Sequence, residues 1–204
     1  MTKHSRNPVA PNDPVLLKMA EKISPDHITS DETKQIIEQM LDASYGRRKN
    51  RDKPTLVGLA APQIGISKRI IAVDVGADGK GGLSDLRIFI NPEITWQSAD
   101  EAEWYEGCWS TSRVCGIVSR VREIRVSAFD QTGGKVEQEY RGYVARIFQH
   151  EIDHLNGKVF VDHIADDNKL HWVEEDEFPQ YRNQEAWRNW PKKCSRERWE
   201  KIKH

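Results

Sequence analysis

The chain predicts an α+β fold in which mixed or antiparallel sheets surround one central helix. Three observations carry this expectation. Residues 142–156 place Tyr143, Ile147, Phe148 and Leu155 on one stripe at helical spacing. Runs at 70–75, 86–90, 124–129 and 136–140 are rich in β-branched and aromatic residues and read as strands. The last two runs flank Thr132-Gly133-Gly134, a hairpin turn, so the central helix follows directly on an antiparallel pair.

Taken in order, Val15, Leu16, Met19 and Ile23 suggest a short amphipathic helix within residues 12–24, after Pro14. Thr29 and Glu32 have capping-box spacing ahead of Ile36, Ile37, Met40 and Leu41, which predicts a second helix ending near Gly46. Residues 47–54 are charged and read as an exposed loop. The strand at 70–75 leads into a loop with Gly76, Gly79, Gly81 and Gly82, and the strand at 86–90 is expected to stop at Asn91-Pro92. Glu103-Trp104-Tyr105 is strand-like and runs into a loop of small residues. Gly157 is placed to end the central helix as a left-handed cap. The chain reads as one domain over 1–204, with a core at about 10–165 and a charged, Trp-rich extension at about 166–204.

Composition narrows the class. The 204 residues suffice for a proper core. A net charge of -1 provides no global field for DNA or a membrane surface. No apolar run reaches membrane length, and residues 1–6 lack the apolar stretch of a secretory signal. A cytoplasmic protein is expected, with an organelle-matrix form left open. Cys108, Cys115 and Cys194 are a sparse, odd set that fits a reducing compartment, and Cys115 reads as a small filler. Residues 172–178 are acidic, and residues 181–204 are basic and carry Trp187, Trp190 and Trp199. This tail either packs its indoles on the domain, leaving a solvated basic face, or offers a ribosome contact.

The motif that points to chemistry is His150-Glu151-Ile152-Asp153-His154, an H-E-x-x-H on the predicted central helix. Two histidines four apart share one helical face and can grip one metal ion. Glu151, beside the first of them, can take a proton from water activated there, so the chemistry is hydrolysis at a carbonyl. On a half-buried helix, unpaired imidazoles would be costly. A catalytic site of this kind keeps three protein ligands and one open position. The third ligand could be Asp162, His163, Asp166 or Asp167 downstream, or Cys108 upstream, in Glu106-Gly107-Cys108-Trp109-Ser110. A thiolate suits iron, zinc or cobalt. Gln149, Glu106 and Asp153 read as supporting groups, with Glu106 placed to hold a ligand histidine or the motif loops. The small-residue run Gly58-Leu59-Ala60-Ala61-Pro62-Gln63-Ile64-Gly65 lets a ligand approach closely, and the Gln63 amide could face a developing oxyanion.

Together G-L-A-A-P-Q, E-G-C-x-S and Q-H-E-x-D-H-L-x-G, in this order, resemble the three signature motifs of the peptide deformylases, over about residues 10–165. The resemblance implies Cys108, His150 and His154 as ligands of one divalent metal. That metal would be Fe(II) in the cell, with nickel, cobalt or zinc able to substitute. It implies Glu151 as general acid/base, and Gln63 with the backbone N–H of Trp109 as donors to the formyl oxygen. The implied substrates are N-formylated nascent peptides, which lose the formyl group of their formyl-methionine as formate, and the implied state is a monomer. Val57, Gly58, Trp104, Tyr143, Arg146 and Ile147 are implied on or near the methionine pocket. Tyr143 and Arg146 resemble the organelle-type enzymes and predict a narrower or more polar pocket. The chain departs from the family pattern at Leu56, Trp109, Thr111-Ser112 and Cys115, all near where a peptide would run. Competing readings are a metallopeptidase with a downstream ligand, an amidase for a small formylated metabolite, a low-activity paralogue, and a non-enzymatic metal protein. Glu151 and Gln63 speak against the last, since a structural metal site needs neither.

Overall fold

A computed structural model of the protein describes residues 8–48, 56–79 and 85–204. Eight strands are named here in chain order: β1 (Gly58–Ala60), β2 (Ile70–Asp74), β3 (Leu86–Gln97), β4 (Glu101–Gly107), β5 (Val114–Val121), β6 (Glu123–Phe129), β7 (Lys135–Arg141) and β8 (Leu170–Trp172). The helices are α1 (Asp31–Arg48), α2 (Gly142–Leu155), α3 (Phe178–Arg182) and α4 (Arg196–Lys203). One sheet has the order β1-β2-β3-β6-β7 and the other β4-β5-β8, and every pairing between these strands is antiparallel.

Strand alternation divides the larger sheet's side chains between two helices. Ile71, Val73 and Phe89 face α2 and pack with Ile147, Phe148, Ile152 and Leu155. Their neighbours Ile70, Ala72, Ile88 and Ile90 face α1 and pack with Ile36, Ile37 and Met40. Phe148 fixes α2 on the sheet by stacking on Tyr140 at 4.3 Å and meeting Phe89 edge-on at 4.8 Å. Gly157 ends this helix at φ 70, as expected, and a Cβ there would also lie 2.9 Å from the Leu17 carbonyl group.

Three expectations are corrected. Residues 12–24 form only a 3-10 turn, Pro14–Leu17. Beyond it the backbone bonds to other segments, Ala20 N to Leu155 O at 2.8 Å and Arg69 N to Glu21 O at 2.8 Å, so the chain runs extended and leaves Met19 72 % exposed. The α1 cap is Ser30 rather than Thr29, because Ser30 Oγ accepts from Thr33 N at 3.2 Å. The strand at 86–90 does not stop at Asn91-Pro92. It continues to Gln97 through a register shift, with Asn91 at φ 51 taking up the bend. The Asn91 amide holds the bend by bonding both Ile23 N and Ile23 O, at 2.9 and 2.6 Å. The helix α1 runs to Arg48, past Gly46, while most of the 47–54 stretch, the glycines at 81 and 82, and residues 1–6 lie outside the described residues.

The tail folds back on the smaller sheet. Trp172 N bonds Lys192 O and Cys194 N bonds Leu170 O, at 2.8 and 3.0 Å. Trp187, Trp190 and Trp199 are buried, so the indoles that would suit RNA point into the protein. No helix among the described residues is long and apolar enough to cross a membrane.

His171 sits at the root of this docking. Lys193 Nζ donates to its Nε2 at 3.1 Å, which makes Nδ1 the protonated nitrogen, donating to Tyr181 Oη at 3.0 Å. Burial and then the Lys193 charge push its pKa from 6.5 down to about 4. A depressed imidazole pKa stabilises the fold fully above about pH 6.5, and that stabilisation is lost as pH falls toward 4. The shift corresponds to on the order of 3 kcal/mol. His171→Gln removes this titration, so between about pH 6.5 and pH 4 the wild type should lose roughly 5–10 °C of thermal midpoint that the variant keeps. The gap between the two proteins should shift by that amount, in favour of the variant, by about pH 4. A gap that is constant across this range would contradict the assignment.

Candidate metal centre

Three segments converge on one cavity. The first is the turn Ala61–Ile64 that follows β1, ended by Gly65 at φ 80. Gln63 is buried there, and its Oε1 accepts from Ala60 N at 2.8 Å. That bond fixes the orientation of the amide, so Nε2 points outward and donates to Cys108 Sγ at 3.1 Å, with Ser110 Oγ at 3.4 Å. The second segment is the end of β4, where Cys108 caps the turn Trp109–Thr111 and its Sγ accepts from Ser110 N at 3.4 Å. The third is α2, whose one-turn spacing brings the His150 and His154 rings to 5.0 Å.

The ligand-type atoms of Cys108, His150 and His154 all lie within 4.8 Å of one another, the one such group found among the described residues. Cys108 Sγ is 3.2 Å from His154 Nε2. Burial opposes ionisation of the thiol, but the two imidazoles overcome it and hold Cys108 well below its usual pKa. A thiolate and two imidazoles this close are a borderline-soft donor set suited to iron, cobalt, nickel or zinc. The donors fit one divalent ion.

The downstream carboxylates and imidazole do not join this group. Asp162 accepts from Val159 N at 2.9 Å, Asp166 from Asn168 N at 2.9 Å, and Asp167 pairs with Arg196 at 3.1 Å. His163 Nε2 contacts Asp153 Oδ2 at 2.8 Å.

Around the cluster, Glu106 is 6 % exposed and fully engaged. Its Oε2 lies 2.8 Å from His150 Nδ1, which leaves His150 Nε2 for the cluster. Arg120 meets Glu106 with two bonds of 2.9 Å, and Arg146 Nη1 donates to Oε1 at 2.7 Å. Burial pushes this carboxyl up, yet Arg120 and His150 prevail and hold it well below the usual carboxylate range. Arg120 also reaches Asp153 at 2.6 Å, and Gln149 Nε2 donates to Val121 O at 3.0 Å.

Glu151 has the opposite environment. Its carboxyl is buried, Oε2 has no hydrogen-bond partner, and burial raises its pKa to about 7 against the pull of both histidines. The carboxylate lies over Gly58. A Cβ at that position would overlap Glu151 Oε1 and come within 2.8 Å of Ile147 Cγ2, so the space is that of a glycine.

The cavity is lined by Val57, Gly58, Gln63, Cys108, Trp109, Tyr143, Arg146, Ile147, His150 and Glu151, as well as by groups that no motif marked. Trp104 is not in this lining and is corrected here. Its indole stacks on Tyr105 at 5.9 Å and meets Trp187 of the tail at 5.8 Å, and Tyr105 takes the wall instead. Arg146 lines the cavity, but its guanidinium is occupied by Glu106, Val118 O and Ala102 O. Leu56, Ser112 and Arg113 flank the motifs, whereas Glu175, Phe178 and Arg182 arrive from the tail, and no sequence signal pointed to them. Cys115 lies behind Gly107, where burial pushes its thiol up to about 12, and it acts as filler.

Glu106→Gln tests this arrangement. Weakening the hold on His150 should reduce metal affinity by roughly 10- to 100-fold, read by chelator competition. Leaving Arg120 and Arg146 with a neutral partner should also destabilise the fold by about 3 kcal/mol. Unchanged affinity would contradict the role given to Glu106.

The profile of the family described as Polypeptide deformylase matches residues 7–170. Peptide deformylase 2 of Rickettsia conorii is 43% identical over 136 residues, which cover 63% of this chain and 67% of that protein. The Met-Ala-Ser-bound class I type b peptide deformylase of Acinetobacter baumannii superposes with a TM-score of 0.71 at 30% identity, covering 80% of this chain and 100% of that one. The inhibitor-bound peptide deformylase of Plasmodium falciparum gives 0.67 at 29% identity, covering 96% of this chain and 98% of that one. A profile match across most of the chain, with these likenesses in sequence and fold, establishes that the chain belongs to the polypeptide deformylase family.

Proposed function

We propose that this chain hydrolyses the N-terminal formyl group of formyl-methionyl nascent peptides and releases formate. One observation carries the reading. A thiol and two imidazoles lie within 4.8 Å of one another, and the thiol and one imidazole line a cavity with a buried carboxyl near pKa 7 and an amide donor of fixed orientation.

Cys108, His150 and His154 would hold one divalent ion, Fe(II) in our reading, with zinc, nickel or cobalt able to substitute. When bound, such an ion supplies Lewis acidity to water and to a carbonyl oxygen. Glu151, poised near neutrality, takes a proton from the attacking water and passes it to the departing amine. Gln63 Nε2 and the backbone N–H of Trp109 donate to the formyl oxygen as it gains charge. The longer Gln63 contact, 3.4 Å to Ser110 Oγ, is the one that oxygen would replace. Val57, Gly58, Tyr143 and Ile147 surround the methionine side chain. Arg146, held by Glu106, contributes the stem of its side chain to the wall. The protein would work as a cytoplasmic monomer, its single domain comprising the core and the docked tail.

The test is formate release from formyl-Met-Ala-Ser by anaerobically purified Fe(II) protein. Turnover is expected in the wild type, and Glu151→Gln should lower it by about 10²- to 10⁴-fold with metal content retained. Gly58→Ala should lower it at least about tenfold by displacing the Glu151 carboxylate. Absence of formate from the metal-loaded wild type, or full activity in Glu151→Gln, would overturn the proposal.

A further inference from the structure

The wall of the cavity includes three residues from beyond the family match, which ends at residue 170. Glu175 and Phe178 lie at the start of the tail's return, and Arg182 ends α3. This stretch is firmly placed. Tyr181, between Phe178 and Arg182, is buried edge-on against Tyr105 at 5.4 Å and Trp190 at 5.1 Å, and it bonds His171. Lys192 Nζ pairs with Glu177 Oε1 at 2.5 Å, and Arg113 Nη2 pairs with Glu175 Oε2 at 3.2 Å.

The other two arginines of the lining are both engaged by carboxylates. Arg113 is matched by Glu174 and Glu175, and Arg146 by Glu106. Arg182 forms no ion pair or hydrogen bond among the described residues, and its guanidinium rests on the Tyr105 ring at 5.8 Å from the centroid. Arg182 is itself exposed, so its charge sits where the cavity meets solvent. A guanidinium at the mouth of a cavity, with its N–H fork unused, is a receptor for a planar oxyanion.

We propose that Arg182 is a specificity-determining residue that binds a carboxylate of the formylated substrate. The carboxylate comes either from an acidic side chain just after the formyl-methionine or from the end of a very short substrate. The tail thereby makes this cavity selective for acidic formyl compounds. This proposal rests on the deformylase reading above, and it predicts a ratio between substrates rather than activity itself.

The experiment compares kcat and KM for formyl-Met-Ala-Ser amide, formyl-Met-Glu-Ser amide, formyl-Met-Ala amide and formyl-Met-Ala as the free acid. In the wild-type holoenzyme at least one carboxylate substrate should exceed its neutral counterpart by roughly three- to tenfold in kcat/KM, through KM. A preference within the tripeptide pair identifies the side chain as the source, and one within the dipeptide pair identifies the chain end. Arg182→Gln should erase the preference while leaving the neutral substrates unchanged, and Arg182→Lys should restore part of it. High salt should shrink it. Equal wild-type handling of acidic and neutral substrates would overturn the proposal, as would an equal loss on both in Arg182→Gln. Failure of the wild type on every substrate would instead refute the deformylase reading.

Discussion

The buried carboxylate of Glu106 is the constraint on which the rest of the site depends. An isolated carboxylate in such a place would be prohibitively costly. Here β5 supplies Arg120, and α2 supplies Arg146 and His150, each within 3 Å. The pairing joins the end of β4, which carries Cys108, to the helix that carries both histidines. It therefore brings the smaller sheet into register with α2. Arg120 carries the link on to Asp153, one residue before His154. Two guanidinium groups and two carboxylates balance, and burying them becomes tolerable because no member lacks a partner.

Against that frame, Glu151 owes its properties to what it lacks. Glu106 and Glu151 are both buried carboxyls near the same imidazoles, yet their environments drive their pKa values apart. Glu106 meets two arginines and is held charged. Glu151 lies over the bare backbone of Gly58 with one oxygen unpartnered, and it is held near neutrality. One carboxylate orients a histidine and the other is free to move a proton. Gln63 completes the division of labour, because its own backbone turn consumes the carbonyl oxygen and leaves only donors facing the cavity.

Much of this was legible in the chain because periodicity carries geometry. A four-residue spacing on an amphipathic helix places His150 and His154 together in any fold that buries that stripe. The hairpin about Gly133 and the left-handed Gly157 are likewise local, set by turn chemistry. What escaped depends on distant backbone. The apolar spacing of residues 12–24 resembles a helix, but the segment's N–H and C=O groups are taken by Leu155 and Arg69. Asn91-Pro92 reads as a strand stop, and it becomes a bend only because Ile23 arrives to receive the Asn91 amide. Tyr105 rather than Trp104 lines the cavity, with the tail's Trp187 packed against both, and nothing local predicts where a tail will dock. The contribution of Glu175, Phe178 and Arg182 to the cavity was hidden for the same reason.

The central claim is that Cys108, His150 and His154 together hold one ion with a position left open. Cobalt(II) titration of the metal-free protein, followed by absorption, tests it most directly. The account predicts one equivalent bound, a thiolate-to-cobalt charge-transfer band in the near ultraviolet, and loss of that band in Cys108→Ser. Stoichiometric binding with no thiolate band, or a band unchanged in Cys108→Ser, would contradict it.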